Sequence, residues 1–226
     1  MEPQGVVGPA WRRQTRSEHR WLAVVVVLAT IALQSLLPSE FVLRPGWLLP
    51  GLSTLLVVTL LLINPGRIGK HGRMERTVAL FLVAMVSATN AASAVQLAEG
   101  ILRATITDHP TSVLVSAGIV YWTNIVVFSL WYWELDRGGP ARRASGTEQH
   151  PDFVFPQMSD PELAGKDWEP TYPDYLYLAF TNATAFSPTD VMPFRPWAKV
   201  LMMVQAVISL LLALLVVAWA VSALKS

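Results

Sequence analysis

The sequence predicts an all-α integral membrane protein with five transmembrane helices and a short re-entrant or interfacial helix before the last. Three observations carry that prediction. Of 226 residues, 53% are hydrophobic and only 15% charged, against about 25% charged in an ordinary soluble domain. Five stretches lack Asp, Glu, Lys, Arg and His and reach the length of about 17–25 residues that a helix needs to cross the hydrocarbon core. A sixth apolar stretch, near the end, is too short to cross.

The five spans are Trp21–Leu37, Trp47–Ile63, Thr77–Leu97, Ser112–Trp133 and Val200–Leu224. The first follows a basic stretch, residues 1–20, and no A-x-A-like site comes after it, so it reads as a retained anchor. Trp21, Trp47, Trp131, Trp133 and Trp197 mark span ends, where amphipathic rings prefer the headgroup level. The third span carries small residues at Ala84, Ala88 and Ala92, with Ser87 and Ala91 beside them. Such a stripe admits another helix closely, either within the chain or across a dimer.

Basic residues assign the sides. Arg12, Arg13, Arg16 and Arg20 precede the first span, and Arg67, Lys70, Arg73 and Arg76 separate the second from the third. Arg137, Arg142, Arg143, Lys166, Arg195 and Lys199 lie between the fourth and fifth, against only Arg44, Arg103 and Lys225 on the opposite side. Cytoplasmic loops carry the excess of Lys and Arg, which puts the N-terminus in the cytoplasm of a multi-pass inner (plasma) membrane protein. Arginine outnumbers lysine 13 to 4 in a chain rich in alanine, valine and leucine, the usage of a GC-rich bacterial genome.

Several function classes drop out. The chain has no cysteine, hence no disulfide, thiolate metal site or cysteine nucleophile. A net charge of +1 gives no general attraction to nucleic acid. His19, His71, His109 and His150 are scattered between the spans, and no HExxH, GxSxG, Walker or dinucleotide fingerprint occurs. The spans contain no ionisable group of the kind that marks intramembrane chemistry. The expectation is a non-enzyme without metal or cofactor, whose partner is the lipid bilayer.

Residues 21–133 form the four-helix membrane region, and residues 134–173 the long loop. That loop opens on the turn Asp136-Arg137-Gly138-Gly139-Pro140, whose charged pair is expected to close the loop locally. Arg142 and Arg143 are expected to meet anionic headgroups. Phe153, Val154, Phe155 and Trp168 are too few for an independent core, so the loop should pack on the membrane face.

The last region, residues 174–226, opens with Asp174–Thr184 (DYLYLAFTNAT). Its length suits an interfacial or re-entrant helix, and backbone at membrane depth survives only where protein or a water-filled cavity satisfies it. Thr181, Asn182, Thr184, Ser187 and Thr189 supply hydroxyls and an amide for such a lining. Asn124, Asn90, Gln96 and Gln205 each sit inside a span, as interhelical glue or as lining.

An acidic residue, a short aromatic helix, a polar stretch ending in Asp, a proline and a long apolar helix resemble the pore-loop module of the potassium-channel superfamily. Asp174, Leu176, Tyr177 and Phe180 match pore-helix positions. Thr184 falls on the first filter threonine, Asp190 on the aspartate after the filter, and Pro193 on the following proline. The terminal DYLY segment also resembles that of a family of uncharacterised bacterial membrane proteins. The superfamily resemblance implies a homotetramer passing monovalent cations. Where that family has T-V-G-Y-G, this chain has Ala185-Phe186-Ser187-Pro188-Thr189. The glycines that align filter carbonyls are gone, which implies a wider, side-chain-lined and less selective path. The loop also falls on the cytoplasmic side, the inverted arrangement that ionotropic glutamate receptors resemble.

The ion-pathway residues are thus Thr184, Ser187, Thr189, Asp190 and Gln205. Four copies of Asp190 would form a carboxylate ring; equally, Ser187-Pro188-Thr189-Asp190 is a helix-start pattern. Two readings stay open: a pore-loop cation pathway, and a non-conducting scaffold or accessory subunit that kept the fold and lost the filter.

Overall fold

The structure is a computed structural model and describes residues 9–15, 18, 21–38, 45–63, 72–103, 110–148, 150–165, 167–184 and 190–223. The described residues build a helical bundle from α1 (Trp21–Ser35), α2 (Leu48–Ile63), α3 (Gly72–Leu102), α4 (Pro110–Leu135) and α9 (Pro196–Ala223). Between α4 and α9 the chain forms α5 (Pro140–Ser145), β1 (Phe153–Val154), α6 (Pro156–Ser159), α7 (Pro161–Ala164), α8 (Tyr172–Thr184) and β2 (Met192–Pro193). The all-α expectation holds apart from β1 and β2, which pair antiparallel with Phe153 opposite Pro193 and Val154 opposite Met192.

Three described stretches are long and apolar enough to cross a membrane: Arg76–Leu102, Thr111–Ser145 and Pro196–Val221. The first two expected spans are shorter as helices, 15 residues in α1 and 16 in α2. α1 stops at Ser35 because Pro38 cannot donate to the helix and constrains the residue before it.

Each helix buries the face its sequence dictates. α1 buries Ala23, Val27, Thr30, Ile31 and Gln34, and α3 buries Ala79, Leu82, Val83, Val86, Asn90, Ser93 and Leu97, both at helical spacing. In the small-residue stripe of α3, Ala84, Ala88 and Ala91 are exposed, whereas Ala92 and Ser87 are half-buried and Ser87 Oγ accepts from Trp131 Nε1 at 3.0 Å, so part of the stripe packs within the chain. Hydroxyls inside the helices return to the carbonyl one turn back, as in Thr30 to Val26 and Thr123 to Ile119. α4 is the central element, buried by α1, α3, α8 and α9. α9 buries the stripe Ala198, Gln205, Ser209 and Leu212, packs Leu201, Met202 and Ile208 partly against the core, and leaves Val200, Met203, Val207, Leu210, Leu211 and Leu214 exposed.

The loop docks on the end of the bundle through its few apolar residues. Phe153, Phe155 and Met158 are buried in the same core as Tyr132, Tyr172 and Tyr175. The Phe153 ring meets Tyr132 edge-on at 5.2 Å and Trp197 at 5.7 Å. Replacing Phe153 with alanine should therefore cost about 3–5 kcal/mol of stability, read as denaturant unfolding in detergent. A wild-type transition would mean the loop is not part of the core.

Candidate functional site

Helix α8 starts at a one-sided cap. The Asp174 carboxylate accepts from the Thr171 backbone N–H at 2.7 Å and hydroxyl at 2.9 Å, the carboxylate half of a capping box, while the Asp174 N–H donates to the Thr171 carbonyl at 2.9 Å. Thr171-Tyr172-Pro173-Asp174 carries that signal in the sequence, and it gives Asp174 a role that the pore-helix alignment does not. Glu18, far away in the chain, supplies a second cap: its carboxylate accepts from the Tyr172 backbone N–H at 2.9 Å and from Trp133 Nε1 at 3.2 Å.

From there α8 runs alongside α4 and α9. At its start the Tyr172 hydroxyl lies 3.0 Å from Ser129 Oγ, and its ring stands edge-on to Trp133. Further on, Gln205 Nε2 donates to the Ala179 carbonyl at 2.8 Å, and Asn182 Nδ2 donates to the Met202 carbonyl at 3.0 Å. At the end the Tyr121 hydroxyl donates to the Ala183 carbonyl at 2.9 Å. Gln205 lies nine residues past Pro196, about 14 Å along a helix rising 1.5 Å per residue. Tyr121 lies about 21 Å before the end of α4 by the same rise. The chain is back at the loop end by Met192, which pairs with Val154, and the Phe194 N–H donates to the Asp152 carbonyl at 2.8 Å. α8 is therefore the descending arm of a hairpin that leaves and rejoins the same end of the bundle.

Two polar clusters hold that arm. The deeper one joins Tyr132, Asn182 and Gln205. The Tyr132 hydroxyl donates to Gln205 Oε1 at 2.6 Å, and Asn182 Nδ2 donates to the same oxygen at 2.8 Å. Gln205 is 0% exposed and uses both ends of its amide. One turn further along α9, Asn124 Nδ2 donates to Ser209 Oγ at 3.0 Å.

The other cluster closes the base. Asp136 Oδ2 accepts from the Tyr175 hydroxyl at 2.6 Å and faces Arg137 Nε at 3.6 Å, while Oδ1 accepts from the Asp152 N–H at 3.0 Å. Asp152 reciprocates: Oδ2 takes the Arg137 N–H at 2.6 Å and Oδ1 faces Arg195 Nε at 3.3 Å. Arg143, buried, stacks over the Tyr175 ring at 5.0 Å and donates to the Trp133 and Asp136 carbonyls. Arg137 holds a left-handed backbone, φ 49°, and its guanidinium donates to the Trp11 carbonyl at 2.6 Å. Gly139, at φ 97°, permits the return of the chain, since a Cβ there would stand 3.1 Å from the Glu134 carbonyl. The local pairing of Asp136 with Arg137 is as the turn suggests. Arg143 departs from the headgroup role expected of it, because the nearest aromatic ring and two carbonyls of the fold take its guanidinium. Arg142 pairs with Glu148 at 2.6 Å.

The N-terminal segment straps this base. Arg13 pairs with Asp167, the Thr15 hydroxyl donates to Glu169 at 2.6 Å, and the Thr15 N–H donates to the Ala144 carbonyl at 2.9 Å. Burial raises the Glu18 carboxyl above its usual value, opposed by Arg143 and the Tyr172 N–H. Burial raises Asp152 likewise, opposed chiefly by the Arg137 N–H.

Of the sequence-derived residues, Tyr177, Phe180 and Thr184 share one outward stripe of α8, with Tyr177 54% and Phe180 47% exposed. Leu176 is partly buried at the side of the helix, Gln205 lies on the opposite, inward side, and Pro193 sits in β2. The Thr184 hydroxyl donates within its own helix, to the Phe180 and Thr181 carbonyls. Ser187 and Thr189 lie outside the described residues. Asp190 is exposed in a bend, β2 follows it, and α9 begins at Pro196; the rest of the Ser187–Asp190 helix-start pattern lies outside the described residues. Among the described residues no His, Cys, Asp and Glu grouping suits a metal ion. The fold and these two clusters define a helical membrane protein with a hairpin docked into its bundle. No family model, curated protein or solved structure matches the chain.

Two outcomes are expected. Gln205→Leu should destabilise by about 1–3 kcal/mol, since it strands buried polar partners, and Tyr132→Phe by about 0.5–1.5 kcal/mol; thermal unfolding in detergent reads both, and equal, negligible shifts would discount the cluster. The raised Glu18 carboxyl binds its proton more tightly folded than unfolded, so stability should fall as pH rises from about 4.5 through its folded value. Glu18→Gln should flatten that slope in a pH series of melting temperatures.

Proposed function

We propose that the chain is a pore-loop membrane protein in which α8 and the residues after it line a weakly selective path for monovalent cations between copies, in a homotetramer. In this reading the protein crosses a bacterial inner membrane five times with its N-terminus in the cytoplasm, and α8 re-enters the bilayer from the cytoplasmic side. The observation that carries the proposal is the hairpin itself. A helix too short to span lies along two long apolar helices, its backbone carbonyls satisfied at depth by Gln205 and Tyr121. Its outward stripe exposes Tyr177 and Phe180 and half-buries Thr181 and Thr184, and the exposed Asp190 follows it. Copies packed around an axis would bring those stripes and carboxylates together, where a ring of acids concentrates cations.

A second reading has its own support. Both amides of the module, Asn182 and Gln205, are spent on bonds within the chain. That favours a non-conducting scaffold or accessory subunit in which the hairpin only stiffens the bundle.

Mass measurement in lipid nanodiscs and cation flux into proteoliposomes separate the two. A four-fold assembly with flux that Asp190→Asn sharply lowers, at unchanged expression and mass, is expected of the pore. A monomer, or a tetramer without flux, leaves the scaffold.

A further inference from the structure

At the loop end of the bundle, away from α8 and its outward stripe, a cavity of about 420 Å³ opens between the N-terminal 3-10 turn, β1 and the residues that lead into α9. Trp11, Arg12, His150, Met158, Phe194 and Arg195 line it. Its volume lies in the range of small-ligand sites, roughly 300–1,000 Å³.

The lining combines cations with an apolar wall. Arg12 is exposed and lies over the Trp11 ring at 4.5 Å, with no ion pair among the described residues. Arg195 spends one donor on Asp152 Oδ1 at 3.3 Å and keeps the rest of its five-donor guanidinium exposed. His150, also in the lining, is exposed. The acid at the cavity, Asp152, is nearly buried beneath Arg195, and its other oxygen takes the Arg137 N–H. Two permanent guanidinium groups thus line an open cavity, and the carboxylate against Arg195, Asp152, is also bound by the Arg137 N–H. Guanidinium groups bind phosphate through paired charge-assisted hydrogen bonds.

The other half of the lining selects the rest of the ligand. Trp11 and Met158 form a buried apolar wall, and Phe194 stands at the mouth with 61% of its surface exposed. Arg195 directly precedes α9, the most apolar of the long helices, so the mouth sits where such a helix leaves the hydrocarbon and headgroups begin.

We infer that this cavity binds a phosphate group carried on an amphiphile, with Arg12 and Arg195 on the phosphate and Trp11, Met158 and Phe194 against the apolar part. Its position favours the headgroup of an anionic phospholipid as the source; a soluble phosphate ester has the same chemistry at its charged end. The inference does not depend on whether α8 lines a pore.

Native mass spectrometry of protein released from nanodiscs of mixed phosphatidylglycerol and phosphatidylcholine tests it. The wild type should retain phosphatidylglycerol selectively. Arg12→Gln and Arg195→Gln should each lower that retention about tenfold, the loss that removing one charge-assisted contact produces. Arg12→Gln leaves the Arg195–Asp152 pair in place, so it separates ligand loss from local unfolding. Arg103→Gln, at the far end of α3, should change nothing. A second arm titrates glycerol 3-phosphate onto lipid-free protein in detergent. A rise in melting temperature that both cavity variants abolish, without selective lipid retention, would keep the phosphate site and replace the lipid by a soluble ester. Equal retention by wild type and both variants, with no response to glycerol 3-phosphate, would overturn the inference.

Discussion

A single buried carboxylate organises the loop end of this protein. Asp136, at the end of α4, is wholly buried, and each of its oxygens holds a different segment: one takes the Asp152 N–H ahead of β1, the other the Tyr175 hydroxyl from α8. A carboxylate removed from water is costly unless charge and hydrogen bonds compensate it. Here the Arg137 guanidinium, the Tyr175 hydroxyl and the Asp152 N–H supply that compensation. The compensation requires a left-handed Arg137 and a glycine at 139, so the sharp turn and the buried acid depend on each other. Arg137 reaches Trp11 as well, which draws the N-terminal segment into the same cluster.

The base alone would leave α8 free to swing. The Tyr132–Asn182–Gln205 cluster fixes its far part against α4 and α9. Interhelical hydrogen bonds between membrane helices average only about 0.6 kcal/mol each. What makes this cluster effective is the cost of opening it, because several polar groups would lose partners together in an apolar surrounding. With both clusters formed, the inward face of α8 is committed and its outward stripe is the surface left for other molecules. The N-terminal strap, through Glu18 at the first turn of α8, adds a tie from the opposite end of the sequence.

The apolar runs made the long helices legible, because a bilayer demands uninterrupted apolar length and the chain supplies it in α3, α4 and α9. Their ends were less legible. The fourth run stops at Trp133 by charge, yet α4 continues through Glu134 and Leu135, since protein rather than water surrounds that charge. The hairpin could be read as a helix too short to span, and Gln205 as an amide needing a partner. Which partner it finds depends on the docking of three helices, which no local pattern encodes. The one-sided cap that Asp174 gives Thr171 was readable from its spacing but stood in the shadow of the pore-helix alignment. Arg143 under Tyr175 and Glu18 at Tyr172 join residues 32 and 154 positions apart. Nothing local announces either.

α8 descends along α4 instead of lying across the end of the bundle. The chain lacks cysteine, so single nitroxide labels can be placed without background. Power saturation with oxygen and a polar nickel chelate would give the bilayer depth of labels at Thr184, Tyr177 and Trp122 in nanodiscs. The descending hairpin predicts Thr184 at the depth of Trp122, and Tyr177 shallower than both. Thr184 and Tyr177 at one shallow depth, with Trp122 well below them, would contradict it.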